Sequence, residues 1–67
     1  MKIGSSIRAK RLALEMSQEE LADLCGVDRS HMGRIERGER NVSLLNVIRV
    51  AKAMNCRASE LLDDAGL

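Results

Sequence analysis

An all-α domain of five short helices is the fold this 67-residue sequence predicts. Three observations carry that reading. Apolar residues recur at three- and four-residue intervals with no strand-like alternation. Helix-start residues stand ahead of these runs at Ser17, Asp28 and Ser43. The chain contains no proline to interrupt a helix. No repeat or linker divides it, so residues 1–67 are expected to form a single domain. A chain this short buries only about 60% of the surface its unfolded form exposes. Its core alone is then worth roughly 3 to 5 kcal/mol, and a second subunit or a bound partner would add materially.

The first helix is predicted over residues 4 to 15, with Ile3, Ile7 and Leu14 at helical spacing and Arg8, Lys10 and Arg11 between them. Ser17, Gln18, Glu19 and Glu20 then read as a capping box: the Ser17 hydroxyl accepts from the Glu20 amide while the Glu20 carboxylate reaches back. The second helix buries Leu21, Ala22 and Cys25 and is stopped by Gly26, a residue free to turn left-handed, with Val27 as an apolar plug. Asp28 caps a third helix running to about Arg37, with Met32 and Ile35 inward and Gly38 at its end. A polar loop from Glu39 to Val42 leads to Ser43, the cap of a fourth helix that sets Leu44, Val47, Ile48, Ala51 and Met54 on one side. Asn55 ends it, and Ala58 to Asp64 form a fifth helix carrying Leu61 and Leu62.

Composition excludes several classes of function. Without Phe, Tyr or Trp there is no aromatic platform for single-stranded nucleic acid or splayed RNA bases. Cys25, His31 and Cys56 lack the paired short spacing of a zinc site, so no metal or cofactor is expected. With one histidine, no nucleophile elbow and no glycine-rich phosphate loop, a catalytic constellation has nowhere to assemble, and no small-molecule ligand is expected. No apolar run approaches membrane-spanning length and no signal peptide is legible, so both cysteines are read as reduced core fillers in a cytoplasmic protein without membrane contacts. The formal net charge is only +1, so any attraction to a polyanion must come from where the charges are placed.

Two short helices joined by a glycine-centred turn, the second bearing long polar side chains, meet the physical requirements of a helix-turn-helix that reads double-stranded DNA. The stretch from Ser17 to Asn41 (SQEELADLCGVDRSHMGRIERGERN) closely resembles the motif of the lambda repressor and Cro family of transcriptional regulators. The resemblance continues from Val42 to Met54 (VSLLNVIRVAKAM) and covers nearly the whole chain. It implies a five-helix lambda repressor-like domain that binds a near-palindromic operator as a homodimer, with the third helix, about residues 28–37, in the major groove. Arg29, Ser30 and Arg34 match positions that touch base edges, where an Arg fork pairs with both acceptors of guanine. Gly33, which costs about 1 kcal/mol of helix propensity relative to Ala, would let the helix sit deeper on the bases. Gln18, His31, Arg37, Arg40 and Asn41 match phosphate-contacting positions, which orient without specifying. Arg11 and Glu36 match an internal salt bridge. Restriction-modification controller proteins and small phage repressors share the size and the IERGERNVSL segment of this chain.

The chain departs from the family pattern at Lys10, Ile48 and Arg57, which bears on the fifth helix and on dimer packing. Blander readings stand beside the sharper ones. The arginines between residues 29 and 40 would also solvate an exposed face, paired locally with Glu36 and Glu39. His31 fits a plain surface position, Gln18 fits any well-capped helix, and Arg11 with Glu36 fits a screened surface pair of little energy. Leu24, Leu45, Leu61 and Leu62 fit either an apolar dimer patch or peripheral core. The alternative function is an antitoxin-like or other protein-interaction module that touches DNA secondarily, although no additional partner-binding segment is legible. A purely structural helical bundle is the third possibility.

Overall fold

Short polar side chains start the central helices, and left-handed residues stop them. The computed structural model describes residues 3–39 and 42–66, folded as α1 (Ile3–Ala13), α2 (Gln18–Cys25), α3 (Arg29–Glu36), α4 (Leu44–Ala53) and α5 (Ala58–Asp64). The Ser17 hydroxyl accepts from the Glu20 amide at 3.0 Å, and the Glu20 carboxylate accepts from the Ser17 amide at 3.1 Å, completing the capping box. Asp28 accepts from the His31 amide at 2.8 Å and Ser43 from the Asn46 amide at 3.2 Å. Arg57 offers α5 no side-chain acceptor; Glu60 instead accepts from the Arg57 amide at 3.4 Å. That reach-back lets α5 begin at Ala58 without the usual small polar cap.

Left-handed backbone occurs at Glu15, Gly26, Gly38 and Asn55, with φ of 57°, 74°, 77° and 55°. After each, the next amide returns to a carbonyl five residues earlier: Met16 to Arg11 at 3.1 Å, Val27 to Ala22 at 3.0 Å, Glu39 to Arg34 at 2.9 Å and Cys56 to Ala51 at 2.9 Å. This is the Schellman closure, which satisfies the last carbonyls of a helix and folds the chain back sharply. At Glu15 it corrects the expected end of the first helix. The helix stops at Ala13, Leu14 is turned out to solvent, and Met16 packs against the core instead.

The core centres on Ile7, Leu21, Met32, Val50 and Leu61, all fully buried. Helix α2 packs on α3 and α4, while α1 lies across α3 and α5, and α5 closes against α4. Ser6, buried on α1, donates to the Leu61 carbonyl at 2.9 Å and fixes the α1–α5 crossing. Lys10 approaches Glu60 at 3.8 Å on the same crossing, a solvated pair of small energy. Two expectations for α4 are corrected. Its inward arc is Val47, Val50, Ala51 and Met54, whereas Leu44 and Ile48 are 66% and 38% exposed. Ile48 lies about a sixth of a turn beyond Ala51, the near edge of that arc, at roughly 100° per residue, and Leu44 occupies the first turn. Leu61 is wholly buried and Leu62 half-buried, while Leu24 and Leu45 are exposed.

Gly4 marks a close approach between α1 and α3. A Cβ there would stand 2.1 Å from the Ile35 carbonyl oxygen and 3.0 Å from that of Glu36, both backbone atoms at the end of α3. Gly4→Ala should therefore push α1 off α3 and cost about 1 to 3 kcal/mol in urea unfolding, as overpacked sites do. Glu15→Gly should act oppositely. Relieving a left-handed residue that carries a Cβ is expected to add about 1 kcal/mol and raise the melting temperature by several degrees.

Candidate nucleic-acid interface

Helix α3 divides lengthwise. Met32, Gly33, Ile35 and Glu36 are buried, and Arg29, Ser30, Arg34 and Arg37 are exposed. The Gly26 turn fixes its direction, because Val27 bonds back to Ala22 and packs against the core before Asp28 restarts the helix. Asp28 engages the His31 amide, so the amides of Arg29 and Ser30 remain at the positive end of the helix dipole, where an anion is favoured.

The other end of α3 is held by the Glu36 carboxylate. It accepts from Arg11 Nε at 2.8 Å, Arg11 Nη2 at 3.0 Å and Gln18 Nε2 at 3.0 Å. The remaining Arg11 nitrogen, Nη1, donates to the Met16 carbonyl at 2.8 Å. The Arg11 and Glu36 side chains are only 8% and 1% exposed, so this is a buried fork and not the screened surface pair considered above. The hydrogen bond to Glu36 raises the Arg11 pKa above its ordinary value against the opposing effect of burial. One cluster thus joins α1, the loop after it, the start of α2 and the end of α3.

Gln18, Arg29, Ser30, Gly33, Arg34 and Arg37 line a single open hollow of about 320 Å³. The base-edge set and two of the phosphate set therefore share one surface. Among the described residues Arg29 and Arg34 form no ion pair. Arg37 differs, since its Nε donates to the Glu39 carboxylate. That bond, then the charges of Arg37 and Arg34, hold the Glu39 carboxyl below the usual carboxylate range. Gly33 is also not bare: a Cβ there would lie 3.0 Å from Arg37 Nη1 and 3.7 Å from Gln18 Oε1. His31 is half-buried beside the hollow's lining residues on α3, while Arg40 and Asn41 lie outside the described residues.

Sequence reasoning offered Glu39 only as one of two local acids for the arginines between residues 29 and 40, without singling out Arg37, and it missed Gly4 as the seat of α3. Residues two apart do not face each other on a helix; only the reversal at Gly38 brings Glu39 back. No sequence signal marked Gly4. Elsewhere, Cys25 and Cys56 are free thiols whose pKa values are pushed up by burial. No cluster able to hold a metal ion occurs among the described residues, and no helix of theirs is long and apolar enough to cross a membrane.

Two short helices meeting at a left-handed glycine, the second presenting an arginine-rich hollow, define a DNA-binding helix-turn-helix domain of the lambda repressor type. Residues 7–61 match the family described as helix-turn-helix, and the chain belongs to it. It is 40% identical over 65 residues to the control protein C.SmaI of Serratia marcescens, covering 97% of this chain and 77% of that one. The crystal structure of the restriction-modification controller protein C.AhdI from Aeromonas hydrophila superimposes with a TM-score of 0.86 at 48% identity, over 90% of this chain and 91% of that one. The P22 c2 repressor, in complex with a synthetic operator, superimposes with a TM-score of 0.80 at 30% identity, over 91% and 92% of the two chains. The protein is thus a helix-turn-helix DNA-binding transcriptional regulator, and its relatives are transcriptional control proteins, not enzymes.

Removing Arg11 leaves the buried Glu36 carboxylate without its cation and with Gln18 as its one remaining side-chain donor among the described residues. Arg11→Ala should cost about 3 kcal/mol or more in urea unfolding, enough to threaten a domain of this size. Combining Arg11→Met with Glu36→Leu should recover most of that loss, because apolar groups of similar volume need no charged partner.

Proposed function

We propose that the protein binds a near-palindromic operator as a homodimer, with two copies of α3 in successive major grooves roughly 34 Å apart, and that it controls transcription within a restriction-modification system. The hollow shared by Gln18, Arg29, Ser30, Gly33, Arg34 and Arg37 carries this reading. Its open shape suits the edge of a duplex, and Arg29 and Arg34 reach it without a carboxylate partner among the described residues. In this assignment Arg29, Ser30, Gly33 and Arg34 meet base edges, with the two guanidinium forks favouring guanine. Gln18, His31, Arg37, Arg40 and Asn41 serve the phosphates, helped by the positive ends of α2 and α3.

Similarity to C.SmaI and C.AhdI supports the controller role, and the P22 c2 repressor supports operator binding. The exposed apolar side chains of Leu24 on α2 and Leu44, Leu45 and Ile48 on α4 support self-association. Burying them against a second copy would add stability that a chain this small lacks. As a dimer the protein would respond to its own concentration.

Selection of bound duplexes from a random pool tests symmetry, half-site spacing and guanine preference together. An asymmetric selected site, or sites without a repeat one helical turn apart, would overturn the dimeric reading. Arg34→Ala should cost about 1 to 3 kcal/mol on the selected duplex and far less on an unrelated one. Arg40→Ala should weaken both alike and flatten the salt dependence by about one unit. Fluorescence anisotropy across a salt series checks both; equal losses from the two variants on every duplex would remove the division between base and phosphate contacts.

A further inference from the structure

Arg37 stands apart from the other arginines of the hollow in how it is held. The Gly38 reversal docks the Glu39 amide on the Arg34 carbonyl at 2.9 Å, which sets the Glu39 side chain beside the last turn of α3. There its carboxylate accepts from Arg37 Nε. The guanidinium is thereby laid back over Gly33, with Nη1 3.0 Å and Gln18 Oε1 3.7 Å from where a Cβ would be. Gly33 in this arrangement is the seat of a folded arginine. Both partners are more than half exposed, so the contact is reversible, and a phosphate held close to Arg37 can displace it where a distant one cannot.

We propose that Glu39 is a specificity-determining residue, latching Arg37 over Gly33 so that this arginine engages DNA only when α3 is fully seated in its site. The inference rests on the DNA-reading role of the hollow proposed above. A loosely held, non-specific duplex is bound mainly through phosphate neutralisation. Against such a duplex the latch keeps one cation out of use and sets a carboxylate facing the phosphates. On a cognate site the base contacts of Arg29 and Arg34 hold the backbone close enough to out-compete Glu39, and Arg37 is released. Glu39 thus weakens the sequence-independent part of binding more than the sequence-dependent part. It also bears on Arg34, whose charge it feels.

Glu39→Gln tests this without disturbing the core, since Glu39 is exposed; its melting curve should match the wild type. On an unrelated duplex of equal length, Glu39→Gln should bind about threefold to fivefold more tightly at low salt. Its salt slope there should steepen by about one unit, corresponding to one more neutralised phosphate. On the duplex selected from the random pool the slope should stay as in the wild type, so the ratio of cognate to non-specific affinity falls. In an Arg37→Ala background Glu39→Gln should change neither slope. Equal gains on both duplexes, no gain on either, or a gain that persists without Arg37 would overturn the latch. The latch is also read without DNA by carbon-detected titration: the Glu39 carboxyl should titrate low in the wild type and return to the ordinary range in Arg37→Ala, and an ordinary wild-type value would reject it. Absence of salt-dependent binding by the wild type to any duplex would instead remove the underlying reading of the hollow, whatever the titration gives.

Discussion

The Glu36 carboxylate sits at the C-terminal end of α3, where a helix dipole disfavours negative charge, and it is withdrawn from water as well. It persists because Arg11 and Gln18 supply three donors from two other segments. Taking such a pair out of water offsets much of its Coulombic gain, so its contribution lies less in net stability than in geometry. A forked guanidinium and a carboxylate fit in one relative orientation. Gly4 adds a second attachment, two turns away on α1, where the helices approach until backbone carbonyls fill the space a side chain would need. Two fixings on one helix set both the position and the rotation of α3, and rotation decides which side chains face outward.

That rotation turns an eight-residue helix into two surfaces. Met32 and Ile35 anchor it from below, and Arg29, Ser30 and Arg34 emerge above. Because α3 is short, a few degrees of tilt would move its first turn by little more than an ångström, yet hydrogen bonds to base edges tolerate no more than that. The Schellman closure at Gly26 addresses the same requirement from the other end, tying the turn to α2 through Val27. The orientation of α3 is therefore secured at both ends of the helix by contacts that face away from the hollow.

Most of this architecture was legible because it is written in local chemistry. Ser17, Asp28 and Ser43 can start a helix through their own side chains, and Gly26, Gly38 and Asn55 can end one through their own backbone freedom, so the boundaries around them needed no knowledge of the fold. Glu15 could not be read that way. A glutamate favours continuing a helix, and only the competition between burying Met16 and burying Leu14 forces it left-handed. The exposure of Leu44 and Ile48 and the burial of Leu61 were illegible for a related reason: periodicity gives the direction of a face but not where the opposing helices end. Arg11 and Glu36 were legible through resemblance alone, since nothing local joins residues so far apart in sequence. Glu39 was legible as an acid beside the arginines but not as the partner of Arg37 in particular, because that pair depends on a reversal between its members.

The arginines also explain how a chain of net charge +1 can address a polyanion. They differ in what competes for them. Arg11 is committed to a buried carboxylate and is lost to any ligand; Arg37 is held by an exposed one and is conditionally available; Arg29 and Arg34 have none among the described residues. Counterion release counts only cations that reach phosphates, so formal charge overstates some residues and understates the hollow where the unpaired ones converge. A protein with the same total but with acids distributed evenly among its arginines would present no such surface. In the proposed reading, selectivity for a duplex resides in the pairing pattern of the charges, and that pattern is set by the same helix ends and buried fork that set the fold.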